Sequence, residues 1–344
     1  MISFDLFEKP VFPEVKNIRI PYQGSKNKIA LQLFEKMLEI KPNAKYFYDL
    51  FGGGAAMSFT ALQLGLKVYY NEKQKSMVDF VDYIINRIKS NKKGKYGLFP
   101  SDFYKFITRE EFGFLKNENS IKGQFARICY SFGNNQKTYA FNEDIEKEKH
   151  LAHNIIMFCC EKSLAELNSL KNTKFVLSSK KTWNERRLDF LLQIASQKRS
   201  EDYLRILNNL VNLQQLEDLE KLNKIQNLEQ IENLERIQNP ERIQNLERIQ
   251  NLKTTSLDFK NVIIDTPQEE TIIYLDPPYR GTEKYLENAF FQDVDDYFIN
   301  SPYTCFLSEY NAPFESVLSI NKRALFSSIG KSKIVIEKLF YNGK

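Results

Sequence analysis

Cysteine and histidine are scarce in this chain, and neither is spaced for metal. Of 344 residues only four are cysteine (Cys129, Cys159, Cys160 and Cys305), with no C-x-x-C pair, and only two are histidine, His150 and His153. That argues against a structural zinc site, and no metal enters the expected chemistry. No apolar run approaches bilayer length and no charged-then-apolar leader opens the sequence, so a soluble, intracellular protein with reduced thiols is expected and no membrane partner. A large excess of charge of one sign is also missing. Lysine and arginine exceed aspartate and glutamate by only 49 to 44, a net +5, which permits a nucleic-acid partner without requiring one. Apolar residues make up 42% of the chain and aromatics 13%. Over this length they can fill a full core, organised as about two domains.

The most informative string is Asp276-Pro277-Pro278-Tyr279, which follows the apolar run Thr271-Ile272-Ile273-Tyr274-Leu275. The lone pair of an aromatic amine is delocalised into its ring and attacks poorly. A carboxylate and a carbonyl held rigidly at a strand end can accept both N–H bonds, favour the pyramidal nitrogen and stabilise the positive charge that develops on it. Asp276 would supply the carboxylate and Pro277 the carbonyl. Two prolines fix φ near −65° and offer no N–H, so the backbone presents acceptors only. Tyr279 adds an aromatic face at the mouth of the sheet, where open α/β folds bind ligands. The same string also reads as a proline-rich strand exit with a surface tyrosine.

Upstream, Phe47-Tyr48-Asp49-Leu50-Phe51 runs into Gly52-Gly53-Gly54 and then into a helix-forming stretch. Glycine there permits a positive φ in a tight strand-to-helix turn and lets a ligand approach the backbone. The Lys-Ser/Thr of a triphosphate loop is missing. The next strand, Lys67-Val68-Tyr69-Tyr70, ends at Asn71-Glu72, so Glu72 stands where nucleoside-binding folds keep an acid for the ribose hydroxyls. Near the start, Pro21-Tyr22-Gln23-Gly24-Ser25-Lys26 precedes a helical pattern through Leu31, Leu33, Phe34, Met37 and Leu38. Ser25 is expected to cap that helix, and Tyr22 and Lys26 to face a ligand with a ring and a carboxylate.

These three strings, in this order, resemble the Dam-type (D12 class) DNA adenine N6-methyltransferases, phage-borne members in particular. Tyr130-Ser131-Phe132-Gly133-Asn134-Asn135 with Tyr139-Ala140-Phe141 is similar to a stretch of the phage group. The resemblance implies a Rossmann-like S-adenosylmethionine-dependent methyltransferase sheet, α/β and mostly parallel with a terminal antiparallel hairpin, carrying an inserted helical target-recognition region. It implies S-adenosylmethionine as donor, double-stranded DNA as substrate and a flipped adenine. Carried over by position, Tyr22, Gly24 and Lys26 would meet the donor's methionine end. Asp49 and the turn Phe51, Gly52, Gly53 and Gly54 would meet its centre, Glu72 its ribose, and Asp258-Phe259 its adenine. Asp276 would stand where donor and base meet. Gly24-Ser25-Lys26 departs from the Gly-Gly-Lys of several relatives, a change tolerated where Ser25 needs no positive φ. A cytoplasmic setting in a bacterium or a phage-infected host follows, with a companion restriction nuclease as an open partner. The rivals are an RNA adenine N6-methyltransferase and an inactive DNA-binding protein of the same fold.

By sequence the catalytic domain spans 1–89 and 254–344, a target-recognition insertion 90–203, and a low-complexity Leu/Ile-x-x module 204–253. The insertion opens on the basic run Lys89 to Lys95, followed by aromatics Phe99, Phe103, Tyr104, Phe106, Phe112 and Phe114, which read best as helix core faces. Asn134, Asn135 and Lys137 are candidates for DNA contact, since Asn amides match adenine's major-groove edge, or they form a turn tolerant of left-handed geometry. Lys180 to Arg187 has a similar double reading. Arg280 and Lys284, beside Tyr279, are further candidates for DNA contact. From Leu204 to Leu252, Leu or Ile recurs at every third position, interrupted at Pro240. On an α-helix this period circles the axis and never forms one buried face; it suits a 3₁₀ coil or a short solenoid. An elongated module whose removal spares methyl transfer is expected. Strands are predicted at 303–310, 323–328 and 333–340.

Overall fold

The computed structural model describes residues 20–90, 97–198, 246–280, 288–325 and 332–344. The chain divides into two compact units, Gly24–Lys89 with Met1–Arg19 and Glu241–Lys344 in the first, and Ile20–Gln23 with Ser90–Pro240 in the second.

The first unit is built on a seven-stranded sheet. Its strands are β1 (Tyr46–Asp49), β2 (Lys67–Asn71), β3 (Leu252–Thr255), β4 (Thr271–Leu275), β5 (Thr304–Glu309), β6 (Ser316–Leu325) and β7 (Ser332–Tyr341), in the order β3-β2-β1-β4-β5-β7-β6. The first five run parallel, and β7 is antiparallel to both β5 and β6. The terminal hairpin thus inserts one reversed strand into a parallel sheet. It is longer than its sequence pattern, and residues 326–331 lie outside the described part. Every residue of β4 and of β5 is buried, as expected of central strands covered on both faces.

Three helices belong to the Gly24–Lys89 segment of this unit. In α1 (Ala30–Ile40) the buried residues Leu33, Phe34, Met37 and Leu38 form one face. Helix α2 (Ala56–Gln63) is buried along its whole length. Helix α3 (Lys75–Lys89) buries Met77, Val78, Phe80, Val81, Ile84, Ile85 and Ile88, the stripe that a period of 3.6 gives. Ser25 does not cap α1: the cap position is Ile29, and Ser25 Oγ instead accepts from the Asn27 side chain at 2.8 Å.

One boundary differs from the sequence reading. The end of the Leu/Ile repeat belongs to the sheet unit: Leu246–Asn251 forms a 3₁₀ helix packed against α2 and α3, and Leu252 opens β3, paired with Val68. With three residues per turn, a three-residue period stacks on one side. Ile249 and Leu252 are accordingly buried, while Gln250 is exposed and Arg248 donates to the carbonyl of Gln63. The rest of the repeat, 204–245, lies outside the described residues.

The second unit is helical, with α4 (Arg109–Leu115), α5 (Ile121–Cys129), α6 (Glu143–Phe158), α7 (Glu161–Lys171) and α8 (Trp183–Lys198). Phe99, Phe103, Tyr104, Phe106 and Phe112 are core residues there, although Phe99 and Phe106 lie outside any helix; Phe114 is the exception at 68% exposure. The basic run lies outside the described residues beyond Ser90. Lys180 to Arg187 starts a helix: Thr182 Oγ1 and Glu185 bond reciprocally, and Arg186 donates to the carbonyls of Ile156, Met157 and Lys181. Among the described residues no helix is long and apolar enough to cross a membrane, and no group of His, Cys, Asp and Glu is arranged to hold a metal ion.

Candidate active site

The chain leaves β1 for β2 and β3 on one side, then returns to lay β4 on the other side of β1. The strand order reverses there, and the crevice beyond the carboxyl ends of β1 and β4 is where open α/β sheets take ligands. Asp49 is the last residue of β1, paired with Tyr274, and Asp276 follows the last residue of β4. Two acids are therefore side by side at the switch point because of topology alone.

The turn after β1 is held from below. Gly53 takes φ +45°, Ala55 enters α2 in the left-handed region, and the Ala55 N–H closes on the Gly52 carbonyl at 2.7 Å. Gly52 serves a different need: a Cβ there would lie 2.2 Å from the Tyr70 ring, so the missing side chain makes room for Tyr70. Tyr70 then donates its hydroxyl to the Gly53 carbonyl at 2.8 Å. Asn71 ties the neighbouring strand ends together, its amide donating to the Leu50 and Leu257 carbonyls while its oxygen accepts from Thr255 and the Leu257 N–H. Sequence reasoning missed both residues; each is a polar group on a β2 otherwise read only for its apolar run.

Glu72 stands half-buried at the tip of β2, accepting from the Gly53 N–H at 3.0 Å and from the Gln74 N–H at 2.9 Å. Burial raises its pKa against the pull of those bonds. Asp49 is fully buried and accepts from Ser58 at 2.7 Å. Burial, with the charges of Asp276 and Glu72 added, pushes its carboxyl up to about 7 in spite of the Ser58 bond. Asp258 caps the turn Phe259–Asn261 and pairs with Lys73 at 3.0 Å; Phe259 is buried against Phe51, ring centroids 5.0 Å apart.

Around Asp276 the side chains are drawn tight. The Lys26 ammonium reaches both Asp276 oxygens at 2.6 Å and lies 3.5 Å from Glu337 of β7. Lys26 is 3% exposed, Glu337 0% and Asp276 17%. Burial alone would lower the Lys26 pKa, but Asp276 and Glu337 outweigh it and hold the ammonium above its usual range. Pro277 is buried and Pro278 exposed. Tyr279 donates its hydroxyl to Glu337, meets Tyr310 at 76° and carries the Lys26 ammonium 4.9 Å from its ring centre. Gly24 takes φ +80° and Ser25 no positive φ, so the serine in that motif is accommodated. Tyr22 is half-buried and falls to the helical unit.

The expected DNA contacts are partly spoken for. Gly133, Asn134 and Gln136 take left-handed φ; Asn134 donates to the Ile128 carbonyl, and Asn135 accepts from the backbone of Lys137 and Thr138. This stretch is a turn secured by its own amides, with Lys137 exposed on it. Arg280 pairs with Asp295 at 2.6 Å on α9 (Asn288–Asn300), donates to the Asn311 carbonyl and sits over Phe291. Its guanidinium anchors the loop to that helix. Lys284 lies outside the described residues. Glu309, also missed from sequence, accepts the N–H groups of Arg280 and Tyr310 and fixes the chain after Asp276-Pro277-Pro278-Tyr279.

A mostly parallel sheet with an acidic switch-point crevice is the architecture of Rossmann-like nucleoside-cofactor enzymes, methyltransferases among them. The model of the D12 class N6 adenine-specific DNA methyltransferase family matches residues 22–227, and the chain belongs to that family. No match is found among curated proteins. The matched span holds Tyr22 to Lys26, the glycine turn, Glu72 and most of the helical unit. It ends before Asp258 and Asp276.

Proposed function

We propose that the protein transfers a methyl group from S-adenosylmethionine to N6 of an adenine flipped out of duplex DNA, within a recognition site read by the helical unit. The observation that carries this is the position of Asp276 and Pro277, directly after a buried central strand and beside the β1/β4 switch point. The crevice suits a cationic nucleoside donor: Asp49, Glu72 and Asp276 gather there, and Gly53 keeps the turn close to them. Asp49, the Phe51 to Gly54 turn and Glu72 would hold the donor's centre and ribose, Asp258 and Phe259 its adenine, and Gly24 and Lys26 its methionine end. When bound, the donor supplies a methyl group on a cationic sulfur that is already electrophilic.

The chain's own work is alignment and charge. The Asp276 carboxylate and the Pro277 carbonyl accept the two N–H bonds of the amine, restore its lone pair and stabilise the positive charge growing on nitrogen. Orientation at near-attack geometry lowers the barrier by up to ~7–11 kcal/mol. Flipping costs a few kcal/mol, which stacking on Tyr279 and contacts to DNA offset. The surplus proton leaves to water, so no general base is required.

The experiment is transfer of tritiated methyl to duplex DNA, to RNA and to no nucleic acid. Incorporation into adenine of duplex DNA supports the reading. A folded, donor-binding protein that labels no adenine-containing duplex refutes it.

A further inference from the structure

We propose that Glu337 is a positioning residue that sets the charge of the site, neutralising Lys26 so that the Asp276 carboxylate keeps its negative charge for a cationic donor and a developing cationic amine. This rests on the methyl-transfer reading above. A buried ammonium bonded to both oxygens of Asp276 would by itself form a neutral pair, and a neutral pair favours neither a sulfonium nor positive charge on nitrogen. Glu337 changes that balance. It lies 3.5 Å from the same ammonium, fully buried, so the group of one cation and two carboxylates carries a single net negative charge.

Glu337 also accepts the Tyr279 hydroxyl, which links the charge to the orientation of the ring beside the proline pair. Its place in the strand has no packing explanation. Along β7, Leu339 two residues on is buried on the same side, where alternation calls for an apolar residue. A carboxylate in that slot costs stability unless a counter-charge and hydrogen bonds offset it; Lys26 supplies the charge and the Tyr279 hydroxyl a hydrogen bond.

The test compares wild-type protein with Glu337→Gln, whose amide still accepts from Tyr279 but carries no charge. Dissociation constants are measured without DNA for the sulfonium donor and for its neutral thioether product S-adenosylhomocysteine, and single-turnover methyl transfer is measured with DNA. Expected are a loss of sulfonium affinity of ~10-fold or more, a change below about threefold for the thioether, and a fall in single-turnover rate on the order of 100-fold. Equal losses for both ligands would mean a merely structural role and overturn the proposal, as would an unchanged rate. Should Glu337→Gln fail to fold, Glu337→Asp is measured instead; it keeps the charge, so its preference for sulfonium over thioether must stay within about threefold of wild type, and loss of that preference overturns the proposal. The binding arm needs no DNA, so absence of methyl transfer by the wild type, which refutes the proposed activity, remains distinguishable from failure here.

Discussion

Lys26 and Asp276, 250 positions apart in the chain, meet through two contacts of 2.6 Å, so the first motif of the sequence is bonded directly to the last. The pair couples the loop before α1 to the exit of β4, and changes at either end are felt at the other.

Lys26→Ala removes the ammonium and leaves the Asp276 carboxylate without it. The cost in stability is expected to be ~2–3 kcal/mol, below the full figure for a buried pair because Asp276 retains some exposure. Single-turnover methyl transfer should fall as well, because the carboxylate loses the contact that fixes its position. Thermal unfolding and single-turnover rates check both statements; an unchanged rate would separate Lys26 from Asp276 in function.

The Asp49 carboxyl is raised to about 7 from an ordinary carboxylate value, chiefly by burial. Between those values the folded state holds a proton that the unfolded chain has lost, so this group's contribution to stability is full at low pH and declines as pH rises through about 7. Asp49→Asn should stabilise the ligand-free protein above pH 7 by on the order of 3 kcal/mol relative to its effect near pH 4. For a cationic donor the sign reverses: wild-type affinity should increase as Asp49 ionises, and Asp49→Asn should flatten that increase. Denaturant midpoints from about pH 4 to about pH 9, and donor titrations over the same range, test the pair of trends.

Gly52 and Gly53 fail for different reasons when substituted. Gly52→Ala drives a methyl into the Tyr70 ring and should break the Tyr70 bond to Gly53, whereas Gly53→Val forces a branched side chain into a left-handed turn. Both should weaken donor binding before DNA binding. Tyr70→Phe, which loses only the hydroxyl, should cost about 1 kcal/mol and serve as the mild end of the series.

The repeat is expected to split into a required and a dispensable part. Ile249→Ala should destabilise the protein by ~2–4 kcal/mol, because Ile249 is buried in the 3₁₀ turn against α2 and α3. Removing hexads upstream of Leu246 should leave donor binding intact. Equal effects from the two changes, read by unfolding and donor titration, would contradict that division.

Much of this was legible in the sequence because it depends on backbone and pattern. The apolar run of β4, the glycine turn, the tip of β2 and the terminal hairpin announce themselves through period two, glycine and proline. The 3₁₀ end of the repeat was legible only as a period of three, and its membership in the sheet unit was not, since strand pairing between Val68 and Leu252 is long-range. Side-chain partners escaped for the same reason. The sequence does not show that Arg280 has Asp295 beside it, or that the Asn134 amide meets the Ile128 carbonyl. Glu337 carried a signal, a carboxylate on the inward face of β7, but its partner Lys26 lies at the far end of the chain.

The central claim is that Asp276 accepts the target amine. It is tested most directly by mapping N6-methyladenine in DNA from cells expressing either the wild-type chain or Asp276→Ala. Methylated adenines within one short sequence context for the wild type, and none for Asp276→Ala at equal protein level and with DNA affinity retained, is the expected result. Methylation that survives Asp276→Ala would contradict the account.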